Sequence, residues 1–212
     1  MTYVVKEIYY TLQGEGKQAG RSAIFCRFTG CNLWTGREVD RETAICRFCD
    51  TDFLGTDGPN GGRFTDPQVL ALKIKELWQG QGGKPLVVFT GGEPTLQLDD
   101  ALIKSLHDLD FEIAIETNGT KAVPQGVDHI CVSPKANATL VQTVGTELKL
   151  VYPQIELSAQ PECFIHLAFE YFYLQPMDGP KQNENIQACI QYCLKHPQWR
   201  LSLQSHKLIG IP

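Results

Sequence analysis

The sequence predicts an α/β fold in which a parallel sheet, covered by helices, curves into a β/α barrel. Two observations support this prediction. Short, continuously apolar stretches such as residues 85–90 alternate with amphipathic stretches, a pattern typical of parallel strands buried between helices. Polar motifs follow directly after several of the predicted strands, and in a β/α barrel the carboxyl ends of the strands meet at one mouth.

The predicted elements alternate along most of the chain. The expected strands cover residues 23–28, 85–90, 112–117, 128–133, 146–151, 171–175 and 200–204. The first helix is expected to begin after Thr65 as its N-cap, with Pro67 in the first turn and Gln68 at the capping-box position. Further helices are predicted over residues 96–109 and from about 183 to 195.

Length and composition predict one domain over residues 1–212, with a sizeable core. The apolar fraction of 42% and the charged fraction of 20% are ordinary for a globular protein. The net charge of −5 disfavours a broad surface for nucleic acid or anionic membranes. The charged start of the chain and the lack of a long apolar run argue against a signal peptide and a membrane span. Eight cysteines without secretory signals favour the reducing cytoplasm.

Three cysteines are the strongest candidates for chemistry. Cys46 and Cys49 form a C-x-x-C motif, and Cys31 lies upstream across fourteen residues. Three thiolates can hold three irons of an iron–sulfur cube and leave the fourth iron open to a small molecule. A structural zinc site normally has four ligands, and the nearest spare thiol, Cys26, lies in a predicted buried strand. These residues alone leave an open cluster, a zinc site and a redox or inert pair as alternatives.

Five polar motifs lie at the carboxyl ends of predicted strands. They are Gly91-Gly92-Glu93-Pro94, Glu116-Thr117-Asn118, Ser133-Pro134-Lys135, Gln175-Pro176-Met177-Asp178 and Gln204-Ser205-His206-Lys207. One Gly-Gly or Ser-Pro pair is usually a turn, whereas five such motifs in series favour a single site at a barrel mouth. Glu93 has a second interpretation, as the cap of a helix that begins after it.

With these residues the sequence resembles the radical S-adenosylmethionine (SAM) enzymes. The cysteine trio, Phe48 and the strand-end motifs carry this resemblance. Within the superfamily, the sequence resembles the 7-carboxy-7-deazaguanine synthase family. This narrower resemblance extends from Leu12 to Pro212, and it rests on Gln13-Gly14-Glu15-Gly16, Gly20 and residues 27–33. The spacing C-x14-C-x2-C departs from the usual C-x3-C-x2-C of the superfamily. The enlarged loop, at about residues 32–45, is similar to that of some members of the narrower family.

The resemblance implies a partial TIM-type β/α barrel and a carbon–nitrogen lyase. Such an enzyme converts 6-carboxy-5,6,7,8-tetrahydropterin to 7-carboxy-7-deazaguanine with loss of ammonia, in queuosine and 7-deazapurine biosynthesis. A flavodoxin- or ferredoxin-type protein would donate the electron, and reductive cleavage of SAM would supply the radical that starts the ring contraction. SAM would be regenerated and so act as a cofactor. A homodimer in the cytoplasm is also implied.

The resemblance also assigns residues to ligands. Cys31, Cys46 and Cys49 would ligate a [4Fe–4S] cluster, and Thr51 would contribute a ligand to Mg²⁺. The residues expected around SAM are Phe48, Cys49, Asp50, Gly91, Gly92, Glu116, Ser133, Pro134, Lys135, Gln175, Pro176, Met177 and Asp178. The residues expected around the pterin are Leu12, Gln13, Gly14, Glu15, Arg27, Thr90 and Pro212.

The expected role of each polar group follows from its chemistry. Gly91 and Gly92 would let SAM approach the backbone. The Glu15 carboxylate would accept pterin N–H groups, and the planar fork of Arg27 would bind a carboxylate or ring acceptors, although an ion pair on the strand face is an alternative for Arg27. Pro212 would fold back over the substrate.

Two other functions remain open from the sequence. A glycyl-radical activating enzyme is also a radical SAM protein, but it usually has Asp-Gly-Pro-Gly where this chain has residues 13–16, and it has the short cysteine spacing. A non-catalytic zinc-binding module is the second alternative. The remaining cysteines are expected to be buried, apolar residues: Cys26, Cys131, Cys163, Cys189 and Cys193.

Overall fold

The computed structural model describes residues 2–212, which form nine strands and four α-helices. The strands are β1 Tyr3–Leu12, β2 Ser22–Phe28, β3 Gly62–Phe64, β4 Leu86–Gly91, β5 Glu112–Thr117, β6 His129–Val132, β7 Val144–Tyr152, β8 Ala168–Pro176 and β9 Trp199–Leu201. The helices are α1 Pro67–Leu77, α2 Asp100–His107, α3 Gln182–Lys195 and α4 Ser205–Ile209. In this part of the chain no helix is long and apolar enough to cross a membrane.

The nine strands form one open sheet in the order β3-β1-β2-β4-β5-β6-β7-β8-β9. All neighbours from β2 to β9 are parallel, whereas β1 runs antiparallel to both β2 and β3. The edge strands β3 and β9 do not pair with each other, so the barrel is incomplete. The predicted fold class, a partial β/α barrel, is confirmed.

Alternation along the strands separates the helix-packed core from the inner face of the sheet. Val87 and Phe89 of β4 belong to the core that α1 and α2 cover, whereas Leu86 and Val88 form a separate inner cluster with Ala23 and Ala114. Thr90 continues the inner row into the mouth of the barrel. Because side chains alternate with a period of two, Arg27, Glu116 and Lys149 reach the same inner face from β2, β5 and β7.

Several elements differ from the sequence-based expectations. Strand β1 was not predicted, since it mixes charged and aromatic residues and pairs antiparallel at one side of the sheet. The expected strand over residues 200–204 ends at Leu201, and the polar residues after it lead into α4. Helix α2 begins at Asp100 rather than at residue 96, because a 3₁₀ turn over Pro94–Leu96 precedes it and the Asp99 side chain accepts from the Leu102 N–H.

Two further predictions are wrong, one for the N-cap of α1 and one for the burial of a cysteine. Asp66, not Thr65, is the N-cap: its side chain accepts from the Gln68 N–H at 2.8 Å, and Pro67 occupies the first helical position. Cys163 is exposed rather than buried, because it lies in a 3₁₀ turn between β7 and β8. The other cysteines outside the trio are buried, except Cys193, which is partly buried.

Candidate active site

A cavity of about 430 Å³ lies at the carboxyl ends of the parallel strands. This volume is within the range of small-molecule sites. All five strand-end motifs contribute lining residues, as do the cluster loop, the turn after β1 and the end of the chain. The predicted site residues are brought together here with one exception, Pro134, which is buried and does not line the cavity.

The three candidate cysteines all line this cavity. Cys46 is buried, and Cys31 and Cys49 are partly exposed. Burial raises the pKa of the Cys31 and Cys46 thiols, so the thiolate forms need a cationic partner in the cavity. Within residues 2–212 no three His, Cys, Asp or Glu side chains stand close enough to hold a single metal ion. Zinc-bound thiolates would lie about 3.8 Å apart, given Zn–S bonds of about 2.3 Å, whereas thiolates on different irons of a cube stand further apart.

The enlarged loop between Cys31 and Cys46 is ordered by an arginine. Arg41 lies in a 3₁₀ helix over Glu38–Thr43, and its Nε donates to both Glu38 carboxylate oxygens at 2.7 and 2.8 Å. Its Nη1 donates to the carbonyl oxygens of Arg47 at 2.9 Å and Cys49 at 3.1 Å. The guanidinium also lies 4.1 Å from the ring centroid of Trp34. Arg41 therefore fixes the backbone of the C-x-x-C segment from within the insertion.

Gly91 and Gly92 are in close contact with the start of the cluster loop. A Cβ on Gly91, whose φ is +142°, would overlap the Phe28 carbonyl oxygen. A Cβ on Gly92 would overlap the Gly30 carbonyl oxygen and lie 2.8 Å from the Cys31 Cβ. The Glu93 N–H donates to the Gly30 carbonyl at 2.9 Å. The close packing of β4 against the segment before Cys31 thus requires glycine at both positions, a structural reason that the sequence did not reveal.

Glu93 caps the turn that follows β4 and is fully buried. One carboxylate oxygen accepts from the Thr95 N–H at 3.0 Å, from the Thr95 hydroxyl at 2.6 Å and from the Thr117 hydroxyl at 2.7 Å. The other oxygen accepts from the Asn118 N–H at 2.8 Å. The capping interpretation of Glu93 is confirmed, and the same carboxylate joins the ends of β4 and β5.

A buried lysine of β7 joins two of the predicted site carboxylates. The Lys149 side chain is 6% exposed, and its ammonium pairs with Glu15 and, at 2.8 Å, with Glu116. Burial opposes the charge of Glu15, but Lys149, together with a hydrogen bond from Gln204 and the nearby His206, holds the pKa of Glu15 below its ordinary value. Burial and the Glu116 charge raise the pKa of the neighbouring Glu147 to about 7. Sequence reasoning missed Lys149, although a lysine inside an apolar strand is an unusual signal.

Arg27 lines the cavity and is also paired with the neighbouring strand. Its Nε donates to Glu7 at 2.8 Å, and its Nη2 donates to the Tyr9 hydroxyl at 3.0 Å. The ion pair with β1 is therefore present, and it holds a guanidinium that lines the cavity.

The end of the chain folds over the mouth of the barrel. The Ser205 backbone and hydroxyl both donate to the Gly14 carbonyl, at 3.1 and 2.8 Å. The Lys207 ammonium pairs with Asp50 and Asp178 at 2.6 Å each. Gly210, at φ +70°, ends α4, and the Pro212 carbonyl accepts from the Thr11 hydroxyl at 3.0 Å. These contacts place Pro212 at the cavity, as the sequence predicts.

Comparison with known proteins identifies the family. The model of the Radical SAM superfamily matches residues 41–139. The 7-carboxy-7-deazaguanine synthases of Caulobacter vibrioides and Bordetella pertussis are 62% and 61% identical to this chain, each over 212 residues and the full length of both proteins. The chain belongs to the 7-carboxy-7-deazaguanine synthase family. The crystal structure of QueE from Escherichia coli agrees with this fold at a TM-score of 0.71 and 26% identity, covering 96% of this chain and 94% of that one.

Membership of this family makes the chain a radical SAM enzyme that uses a [4Fe–4S] cluster and SAM. The predicted family and enzyme class are confirmed, and neither a glycyl-radical activating enzyme nor a zinc-binding module is supported. The residues present fit the cofactors. Three thiols line a cavity that is also lined by Gly91 and Gly92. Lys135 and Phe48 line the same cavity, with the Lys135 ammonium 5.9 Å from the Phe48 ring centroid.

Replacing Arg41 with alanine should loosen the C-x-x-C segment. A hydrogen bond from a charged donor contributes about 1.5–3 kcal/mol, and about 1.4 kcal/mol corresponds to a factor of ten. We therefore expect Cys46 of the cluster-free Arg41→Ala protein to be alkylated at least roughly tenfold faster than in the unmodified chain. Mass spectrometry of the labelled peptide measures this rate. Arg37→Ala is the control, since Arg37 is an exposed residue of the same loop; equal rates in both variants would contradict the role of Arg41.

Proposed function

We propose that this enzyme converts 6-carboxy-5,6,7,8-tetrahydropterin to 7-carboxy-7-deazaguanine with loss of ammonia, in queuosine and other 7-deazapurine biosynthesis. The names of its relatives suggest this product. The observation that carries the proposal is that one cavity joins the three cysteines to a polar wall suited to a pterin. That wall combines the carboxylate of Glu15 with the guanidinium of Arg27.

SAM is proposed to occupy the side of the cavity next to the cysteines. Cys31, Cys46 and Cys49 would hold three irons, and the backbone of Gly91 and Gly92 would face the methionyl group. The bound cluster and SAM supply the radical chemistry. The remaining proposed SAM contacts are Phe48, Asp50, Glu116, Ser133, Pro134, Lys135, Gln175, Pro176, Met177 and Asp178, of which Pro134 would act through the backbone of its turn because it does not line the cavity.

The pterin is proposed to lie against the turn after β1 and the end of the chain. Glu15 has an oxygen lone pair left for the N–H groups of the pterin, because its two carboxylate oxygens offer about four acceptor positions and its side-chain donors are Lys149, Gln175 and Gln204. Arg27 would bind the substrate carboxylate while Glu7 and Tyr9 hold its other nitrogens. Leu12, Gln13, Gly14, Thr90 and Pro212 would complete the wall.

Thr51 is the proposed protein ligand of a Mg²⁺ ion. It lines the cavity directly after the cluster cysteines, and its hydroxyl lies 3.5 Å from the Asp50 carboxylate. Mg²⁺ commonly takes few protein ligands and completes its shell with substrate and water. A substrate carboxylate between Thr51 and Arg27 would provide such a ligand.

The wider context of the enzyme is proposed from the family resemblance. Residues 1–212 would act as one radical SAM domain, with the cluster-loop insertion at about residues 32–45. The enzyme would work in the cytoplasm as a homodimer. A flavodoxin- or ferredoxin-type protein would supply electrons to the cluster.

An anaerobic assay with SAM, a reductant and the carboxytetrahydropterin tests the proposed reaction. We expect the reconstituted enzyme to form 7-carboxy-7-deazaguanine, detected by mass spectrometry. Cys49→Ser should abolish the product, because a serine hydroxyl is a poor substitute for a thiolate on iron. Cys163→Ser, which changes an exposed thiol away from the cavity, should behave like the unmodified chain. SAM cleavage at an unchanged rate in Cys49→Ser would contradict the ligand assignment.

Thr51→Ala should reduce the stimulation of turnover by Mg²⁺ and leave the iron content unchanged. The hydroxyl is the only protein ligand proposed for the ion, so its loss leaves an incomplete shell. Turnover is measured against Mg²⁺ concentration, with the exposed Thr139→Ala as the matched control. A Mg²⁺ response in Thr51→Ala equal to that of the control would exclude this role.

A further inference from the structure

Four residues beside the cavity form a closed ring of polar contacts: Gln13, Glu15, Glu116 and Lys149. Gln13 Nε2 donates to Glu116 Oε1 at 3.3 Å, and the Lys149 ammonium donates to Glu116 Oε2 at 2.8 Å. The same ammonium donates to Glu15 Oε2, and the Glu15 backbone N–H donates to Gln13 Oε1 at 3.1 Å, which closes the ring. The ring therefore connects the turn after β1 to β5 and β7.

Lys149 is the only cation in this ring and faces two carboxylates. Its ammonium is nearly inaccessible, and the side chains of Glu15 and Glu116 are 15% and 18% exposed. Two partly buried carboxylates without a cation would repel each other, and one of them would take up a proton. Lys149 is therefore the main group that favours the anionic form of Glu15, with a smaller contribution from Gln204.

We propose that Lys149 is a positioning residue for the substrate: it keeps Glu15 ionised and directs its free lone pairs towards the N–H groups of the pterin. This inference rests on the proposed contact between Glu15 and the pterin. Lys149 acts through Glu15, which approaches from the turn after β1, while Glu116 at the other side of the ring belongs to the proposed SAM wall. The lysine thereby fixes the substrate side of the cavity relative to the SAM side.

The charged surroundings of Glu15 define the pH range of the test. Burial lowers the pKa of His206, so this residue stays neutral above about pH 6.5. Glu147, with a pKa of about 7, titrates within the range and needs its own control. The titratable groups that influence Glu15 or its ring partners are Tyr9 of β1, Glu116 of β5, Cys131 of β6, Glu147 and Lys149 of β7, and His206 of α4.

The experiment compares the substrate KM of the unmodified enzyme with that of Lys149→Met between pH 6.5 and 9. In Lys149→Met, burial and Glu116 raise the pKa of Glu15, so binding is retained at high pH and lost as the pH falls. We expect the substrate KM of this variant to rise at least roughly tenfold from pH 9 to pH 6.5 relative to the unmodified enzyme, with a smaller change in kcat and in the KM for SAM. Lys149→Arg keeps the cation and should keep the normal pH profile.

Three control variants show which residue causes the pH dependence. Lys17→Met removes a lysine outside the ring, and it should not change the pH profile. Adding Glu147→Gln to Lys149→Met removes the titration of Glu147, and the pH dependence should persist. Glu15→Gln tests the proposed contact itself: an unchanged substrate KM there would overturn the role of Glu15. A raised KM in Glu15→Gln together with a pH-independent loss in Lys149→Met would overturn the role of Lys149 alone.

A direct measurement covers the case in which Lys149→Met does not fold. Carbon-13 NMR of the unmodified protein, labelled at glutamate carboxyl groups, follows the ionisation of Glu15, with Glu15→Gln used to assign its signal. We expect the Glu15 signal to remain that of a carboxylate from pH 6.5 to 9. A Glu15 titration within this range would overturn the proposal.

Discussion

The backbone contact between the end of β4 and the start of the cluster loop is the constraint on which the site depends. Gly91 and Gly92 pass so close to residues 28–31 that neither position has room for a side chain. The Glu93 N–H bonds to Gly30 directly before Cys31, and the buried Glu93 carboxylate then ties this junction to β5. Cys31 is thus fixed to the rigid sheet, and Arg41 orders the loop that carries the other two cysteines.

The cavity concentrates charged side chains, and most of them are paired. Lys149 lies between Glu15 and Glu116, Arg27 lies against Glu7, and Lys207 pairs with Asp50 and Asp178. Removing one partner of the largely buried Lys149 and Arg27 pairs is costly, because the other charge stays uncompensated. The pairs also join distant segments, since Lys207 connects the cluster loop with the end of β8. The polar groups that face the ligands are therefore held in place before any ligand binds.

The sequence predicted the parallel strands and the common site, because buried parallel strands read as continuous apolar runs and their carboxyl ends share one mouth. It missed β1, whose charged and aromatic residues show no simple alternation along this antiparallel strand. It also missed Lys149, which lies inside a strand rather than at its end, and the contacts of Arg41 with the Arg47 and Cys49 carbonyls, which no local periodicity indicates. Asp66 and Thr65 are both good caps, and only the structure distinguishes them.

The iron content of Gly92→Ala after anaerobic reconstitution without SAM tests the central role of the β4 contact. A Cβ at this position would overlap the Gly30 carbonyl and approach Cys31, whereas a Cβ on Gly82 would meet open space, so Gly82→Ala is the matched control. We expect about four irons per chain in Gly82→Ala, as for one [4Fe–4S] cluster, and less than about half of that in Gly92→Ala. A full complement of iron and sulfide in Gly92→Ala would contradict the central role of this contact.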